Sequence, residues 1–149
     1  PVTRSELAIG WRQEDYDDQA LSTLEALTVD GALAWSPTEL TTVRLDGTTS
    51  ISPSTDPSTS GSVVYDTTLT VERSIRRNFT AEAFGGWRYE DFRGEGADTT
   101  TWTAGLGAIW KLNRQLWATG RFTQTWYDSA ATGADYESSA VTVGLRLQR

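Results

Sequence analysis

The stretch that decides the fold is WTAGLGAIWKLNRQLWATGRFTQTW, residues 102–126. Within it, large apolar side chains alternate with small or polar ones, with a break at residues 113–115. Successive side chains of a β-strand point to opposite faces, so this alternation predicts two strands joined by a short turn. Each arm runs to about 10 residues, which a tilted strand needs to cross the hydrocarbon core of a bilayer. The stretch therefore predicts a transmembrane β-hairpin.

The rest of the chain repeats this hairpin pattern. GWRQEDYDD at Gly10 resembles GWRYEDFRG at Gly86, an offset of 86 − 10 = 76 residues, and short turns are expected near Pro37, Arg76 and Asn113. Loops are expected at residues 14–25, 52–62, 90–98 and 127–137. The predicted strands cover residues 5–14, 26–36, 40–52, 63–74, 79–89, 102–112, 116–126 and 141–148. Short turns alternating with longer loops are typical of outer-membrane barrels. We therefore predict an all-β fold, an antiparallel up-and-down transmembrane β-barrel of eight meander strands, closed by itself or part of a larger barrel.

Composition limits the classes of function. The 149 residues suffice for a single domain, residues 1–149, and the net charge of -7 argues against a nucleic-acid partner, because phosphate contacts need clustered Lys and Arg. The chain has no cysteine and no histidine, which removes thiol nucleophiles and His-dependent catalysis. We expect no enzyme activity, no cofactor and no metal site. The chain starts at Pro1 without a signal peptide, so we expect either a mature form or a fragment of a longer chain, and we favour the fragment.

One face of the predicted strands is apolar and carries most of the aromatic residues near the strand ends. Trp and Tyr are enriched at both membrane–water interfaces, so these residues are expected to form the interfacial girdles of a barrel. The apolar face is expected to hold no charged residue within the strands, since a charge near the bilayer midplane costs a few kcal/mol, about 2–4 for Arg or Lys. The expected girdle residues are Trp11, Trp35, Tyr65, Trp87, Tyr89, Trp102, Trp110 and Trp126.

The opposite face combines Thr, Gly and Ala with charges of both signs. By parity, it is expected to line the lumen of the barrel, as a selectivity lining in a wide barrel or as an ion-paired plug in a closed eight-stranded one, where only side chains fit. The expected lumen residues are Glu6, Arg12, Asp30, Arg44, Asp46, Asp66, Glu72, Glu82, Arg88, Arg121 and Arg146. Alternation alone also permits a soluble lipocalin-like β-barrel with the apolar face inside. The position of the Trp residues and the alternating loop lengths favour the membrane barrel.

The chain resembles the putative β-barrel porin 2 family of Gram-negative outer-membrane proteins. The matching runs are ALAWSPTELTTV, LTVERSIRRNFTAE, LGAIWKLNRQLWATG, GWRYEDF and the terminal VTVGLRLQR. The resemblance covers nearly the whole chain and implies the C-terminal part of a longer barrel. Barrels of this kind usually end on an aromatic or apolar residue, whereas this chain ends Gln148-Arg149.

The resemblance implies an outer-membrane location, membrane lipid as a partner, and a porin-like passive channel for small hydrophilic solutes. The family's association with surface-polysaccharide genes implies the alternative, a non-conducting structural or interaction barrel linked to polysaccharide export. The family has no catalytic residues to transfer.

Overall fold

The computed structural model describes residues 2–14, 24–53, 59–94, 98–131 and 133–147. They form a single antiparallel sheet whose strands are neighbours in chain order, β1-β2-β3-β4-β5-β6-β7-β8. The strands are β1 (Val2–Glu14), β2 (Leu24–Thr38), β3 (Thr41–Pro53), β4 (Thr59–Arg76), β5 (Phe79–Gly94), β6 (Thr99–Lys111), β7 (Leu116–Ser129) and β8 (Tyr136–Leu147). The predicted eight-stranded up-and-down meander is therefore confirmed.

Closure of the sheet is not seen. β1 pairs only with β2, and β8 only with β7, within the described ranges. Of the two alternatives that the sequence leaves open, closure at eight strands is therefore not the one seen here, since the described strands form an open sheet with two edges. Ladder hydrogen bonds determine each neighbouring pair locally, whereas closure depends on the twist and stagger accumulated over the whole sheet.

Apart from β3, the strands are longer than the alternation predicts, and the loops are correspondingly shorter. β4 has 18 residues and β5 has 16, and they pair as far as Thr59 and Gly94. The backbone ladder needs no apolar side chains, so pairing continues into the polar segments at 59–62 and 90–94. The connection between β5 and β6 shrinks to residues 95–98, of which only Asp98 is described. The predicted loop at residues 127–137 likewise reduces to 130–135 because β8 begins at Tyr136.

The turn after β2 lies later than predicted. Pro37 belongs to β2, at a register shift between Trp35 and Thr38, and the turn residues are Glu39 and Leu40. A proline has no N–H for the ladder and is tolerated at a bulge, so it does not end the strand here. The acidic run Glu14–Asp18 and the low-complexity segment 54–58 fall largely or wholly outside the described residues.

Very little of the described sheet is buried. Val63 and Val64 are the buried apolar residues, with Ile51 and Tyr65 packed against Val63. Large apolar side chains elsewhere are exposed, up to 82% for Leu147 at the β8 edge. No helix long and apolar enough to cross a membrane occurs in the described part of the chain.

Candidate functional site

The pairing register places the predicted apolar rows on one continuous face. Directly opposed residues of an antiparallel pair project to the same side. One such row crosses seven strands, as Trp35, Val43, Val71, Ala83, Leu106, Phe122 and Val141 are opposed in turn. The eight girdle candidates Trp11, Trp35, Tyr65, Trp87, Tyr89, Trp102, Trp110 and Trp126 all share this face. Coverage of this face by lipid stays a prediction.

The expectation that this face holds no charge within the strands is wrong. Arg73 lies on it, opposite Thr41 and Ala81. Asp91, opposite Val63, Asp128, opposite Thr100, and Glu137, opposite Trp126, also lie on it. These three acidic residues stand where the strands extend beyond the predicted ones, whereas Arg73 lies within the predicted strand 63–74. The alternation pattern of the sequence places Arg73 here, since it shares parity with Leu69 and Val71.

Aromatic residues of the apolar face form two clusters along the strand direction. Trp87 stacks on Tyr89 with ring centroids 6.2 Å apart and lies 6.3 Å from Trp102, which faces Trp126 across the β6–β7 pair. On β6 the second cluster begins at Trp110, opposite Phe79. Trp102 and Trp110 are separated by 110 − 102 = 8 residues. This separation corresponds to about 26 Å along the strand at about 3.3 Å per residue.

The aromatic positions are staggered between distant strands, although Trp87, Trp102 and Trp126 lie in one row across β5, β6 and β7. Followed across five neighbouring strand pairs, the row through Trp102 reaches β1 at Leu7. Trp11 lies four residues further along β1, towards the end of the sheet where the longer loops join the strands, which we call the loop end. Followed across four neighbouring strand pairs, the row through Trp35 reaches β6 at Leu106. Trp110 lies four residues further along β6, towards the opposite end of the sheet, where the short turns lie and which we call the turn end. Both aromatic bands are thus displaced in the same direction by nearly one residue per strand.

This stagger gives the angle between the strands and the normal to the aromatic bands. A shift of about 0.8–1 residue per strand, at about 3.3 Å per residue and about 4.8 Å between strands, corresponds to a tilt of about 30–35°. Transmembrane barrel strands tilt by about 35–45°, and their apolar band is about 25 Å tall. The separation of the two bands, reduced by the tilt, is about 22 Å by the same geometry. The average stagger and the separation of the aromatic residues match those of barrel girdles, and their role as girdles stays a prediction.

The register places the predicted lumen residues together on the opposite face. One row carries Glu72, Glu82, Gly107 and Arg121, and the neighbouring row carries Arg44, Thr70, Phe84 and Gly105. Arg12 is opposite Ala26, but its side chain lies outside the described residues. The other ten candidates, Glu6, Asp30, Arg44, Asp46, Asp66, Glu72, Glu82, Arg88, Arg121 and Arg146, share the polar face by register. Their role as a lumen lining stays a prediction.

An ion pair crosses β6 on this face. Arg121 Nη2 on β7 lies 2.6 Å from Glu82 Oε1 on β5, so the two side chains meet above the intervening strand. Gly107 stands between them in the row, and a Cβ there would lie 3.3 Å from Glu82 Oε1. The absence of a side chain at residue 107 leaves the space through which the pair forms.

Phe84, a departure from the polar pattern in the sequence, packs beside this pair. Its ring lies 4.6 Å from Arg121 Cζ, and it covers Gly105, where an added Cβ would collide with the ring and with the carbonyl oxygen of Phe122. A guanidinium over an aromatic face is attracted by the ring quadrupole. Phe84 therefore holds Arg121 in position and covers a glycine of the neighbouring strand. The parity of Phe84 was visible in the sequence, but its partners were not.

Two other charged groups of the polar face have weaker or structural partners. Arg88 Nε lies 3.9 Å from Asp66 Oδ2, with side chains 56% and 42% exposed, so solvent screens this pair. Asp30 Oδ1 accepts the N–H of Thr49 at 3.0 Å, and Thr49 Oγ1 donates to the carbonyl of Val29 at 3.0 Å. These contacts continue the β2–β3 pairing beyond Gly31 and Gly47, so Asp30 also stabilises the sheet. Sequence parity did not indicate this second role.

Trp117 is an aromatic residue of the polar face that the girdle prediction does not include. It is opposed to Lys111 and Arg146, whose Nζ and Cζ atoms lie 4.7 Å and 6.0 Å from its ring. The contacts form a basic cluster at the turn end of the sheet. The pattern Lys111, Trp117, Arg146 could not be found from sequence because it requires the β6–β7–β8 register. No group of metal-ligating side chains was found in the described part of the chain.

An up-and-down antiparallel meander with one apolar face and one charged face is the strand arrangement from which β-barrels are built. The chain belongs to the family described as putative beta-barrel porin 2, whose sequence profile matches residues 1–149, the whole chain. This match confirms the resemblance seen in the sequence. No curated protein and no solved structure gives a significant match.

Proposed function

We propose that this chain forms part of an outer-membrane β-barrel that passes small hydrophilic solutes through a charged lumen. The observation that carries the proposal is the pair of staggered aromatic bands, which have the separation and the tilt expected at the two surfaces of a bilayer. A soluble barrel with the same face turned inward needs no such bands. Membership of the family favours a barrel without enzymatic activity.

The two edges of the sheet bear on how the barrel closes. Backbone N–H and C=O groups at a strand edge cannot remain unpaired in hydrocarbon, so β1 and β8 require strand partners in the membrane. The polar face holds charges whose side chains are largely exposed, such as Arg121 at 53% and Arg88 at 56%. Charges of this kind suit a water-filled lumen wider than that of an eight-stranded barrel, which side chains fill.

The experiment is planar-bilayer recording on the assembled barrel that contains this chain, with folding confirmed by a heat-dependent gel shift. We expect steady single-channel steps. Neutralising Arg44 and Arg121 to Gln shifts the permeability ratio towards cations, because two positive charges leave the lumen. Arg73→Gln, which removes one positive charge from the opposite face, is the control for each single replacement and leaves the ratio unchanged. Equal shifts from both faces, or none, would contradict the lumen assignment.

A second function is favoured by the contact of Glu82, Arg121 and Phe84. A carboxylate and a guanidinium meeting 2.6 Å apart across a strand, under an aromatic ring, resemble the filled interior of a non-conducting barrel. Such a barrel would support other envelope proteins, for instance those that export polysaccharide. A folded protein that carries no current, before and after Arg121→Gln, would favour this second function.

A further inference from the structure

Two arginines stand on the apolar face at the turn end of β4. Arg73 faces outwards by register, opposite Thr41 and Ala81. Arg76 would have the opposite parity, but the register shifts between Ser74 and Arg76, which brings Arg76 opposite Phe79. A bulge of this kind re-aims a side chain to the other face of a sheet. Both guanidinium groups are thereby directed to the face that carries the aromatic bands.

A groove on this face is bordered by Arg76, and Arg73 lies three residues before Arg76 on β4. It is lined by Ile75, Arg76, Asn78, Phe79 and Trp110. Arg76, Phe79 and Trp110 are opposed in turn across β4, β5 and β6, so the groove follows one row of the sheet. Its walls are thus apolar and aromatic, with a cation and an amide at one end. This is the surface that an amphiphile with an anionic head and an apolar tail requires.

The charge distribution of the sheet favours an anion at this end. Glu39, Glu72 and Glu82 are the acidic residues near the described turns, whereas the loop end carries Glu90, Asp91, Asp98, Asp128, Asp135 and Glu137. The basic residues at the turn end are Arg73, Arg76, Arg77, Lys111, Arg114 and Arg146. An anionic headgroup is therefore attracted to one end of the molecule and repelled from the other.

We propose that the groove beside Arg73 and Arg76 binds an anionic phospholipid of the leaflet at the turn end. The phosphate pairs with the two guanidinium groups, and an acyl chain lies against Ile75, Phe79 and Trp110. A free phosphate would leave the apolar wall uncovered, so the lipid is the occupant that matches both parts of the groove. Long Arg side chains at the edge of an apolar band extend their charge to the headgroups, which accounts for Arg73 within it.

The inference rests on the proposed insertion in a membrane, and the experiment separates the two. The full chain is refolded into vesicles of a zwitterionic lipid mixed with an anionic one, with bromine on the acyl chains of one lipid at a time. Brominated chains quench nearby Trp fluorescence. The part of the quenching lost in Trp110→Phe reports the lipid in the groove. We expect the quenching of Trp110 to be stronger with the anionic lipid than with the zwitterionic one, by about fivefold for each of the two arginines.

Variants locate the selectivity. Arg73→Gln with Arg76→Gln brings the preference at Trp110 to within about twofold of unity. Arg114→Gln, at the β6–β7 turn but outside the groove, is the matched control and leaves the preference unchanged. A wild-type protein that is quenched equally by both lipids overturns the lipid site while supporting insertion. An equal loss in Arg114→Gln and in Arg76→Gln overturns it in favour of diffuse attraction. Absence of quenching by either lipid overturns both the insertion and the site.

Discussion

At the residue scale, glycines of β6 determine what the polar face can contain. Gly105 lies under the Phe84 ring, and Gly107 lies under the ion pair of Glu82 and Arg121. Both belong to the Gly-Leu-Gly run of the stretch that decides the fold. Leu106 between them projects to the apolar face. The same segment thus supplies a large side chain to one face and leaves space on the other.

Gly105→Ala is expected to destabilise the protein by about 1–3 kcal/mol, since the added methyl overlaps a ring and a backbone carbonyl that cannot both move away. Gly120→Ala is the control, because a Cβ at residue 120 meets nothing within 4 Å. The free energy of unfolding of both variants is measured by urea titration in lipid vesicles. Equal losses in the two variants would show that the Phe84 contact does not restrict residue 105.

The two ion pairs seen among the described residues of the polar face are expected to differ in strength. The Glu82–Arg121 distance is 2.6 Å and Phe84 holds the guanidinium, whereas the Asp66–Arg88 distance is 3.9 Å. Double-mutant cycles with Gln and Asn replacements should give a coupling of about 0.5–1 kcal/mol for the first pair and near zero for the second, the range of partly exposed pairs. A stronger coupling for Asp66 and Arg88 would contradict this ranking.

At the scale of single elements, the β6–β7 turn depends on the side chain of Asn113. Its Oδ1 accepts the N–H groups of Gln115 and Leu116, both at 2.8 Å, while the N–H of Leu112 donates to the carbonyl of Leu116 at 2.9 Å. A short polar side chain that bonds to the following backbone is the usual signal of a tight turn. The break in the alternation at residues 113–115 is therefore explained by one residue's hydrogen bonds.

Asn113→Ala is expected to lower the free energy of unfolding by about 1–2 kcal/mol, because two backbone donors lose their acceptor. Asn113→Asp keeps the acceptor oxygen and should retain most of the stability. Arg114→Ala, at an exposed neighbour of the same turn, serves as the control with a small effect. Thermal unfolding followed by the gel shift measures all three. Similar midpoints for the Ala and Asp variants would show that the amide oxygen is not what stabilises the turn.

At the scale of the whole molecule, the stagger of the aromatic bands predicts the orientation of the strands. Polarised infrared spectroscopy of the protein in oriented bilayers should give a strand tilt of about 30–35°, or slightly more. Strands lying parallel to the bilayer plane, as in a sheet adsorbed to its surface, would contradict the girdle interpretation of Trp102, Trp110 and Trp35.

Closure can be tested with cysteines, since the natural chain has none. A stagger of about one residue per strand over eight strands would place Ala8 beside Gly144 in a self-closed barrel. We expect no disulfide within one chain for Ala8→Cys with Gly144→Cys, because β1 and β8 lie at opposite edges of the sheet. Ala8→Cys with Asp30→Cys, directly opposed on β1 and β2, is the positive control. An intrachain disulfide in the first variant would show closure at eight strands.

The order and type of the strands, and the face of the sheet to which each side chain points, follow from the sequence alone. The period of two depends only on backbone geometry, so Trp35 and Leu106 were assigned to one face and Glu82 and Arg121 to the other without coordinates. The strand ends were less well predicted, because ladder hydrogen bonds continue through polar residues such as those near Thr59 and Asp91. The family was likewise predicted from the hairpin runs.

The side-chain contacts that depend on the register between strands could be seen only in the tertiary structure. The contact of Glu82 with Arg121, the position of Phe84 over Gly105 and the placing of Lys111 and Arg146 around Trp117 join residues of different strands. The bulge that directs Arg76 outwards reverses the face that parity assigns to it. Alternation records the side of the sheet to which a residue points, whereas its neighbours on that side are determined by how far each strand is shifted along the next.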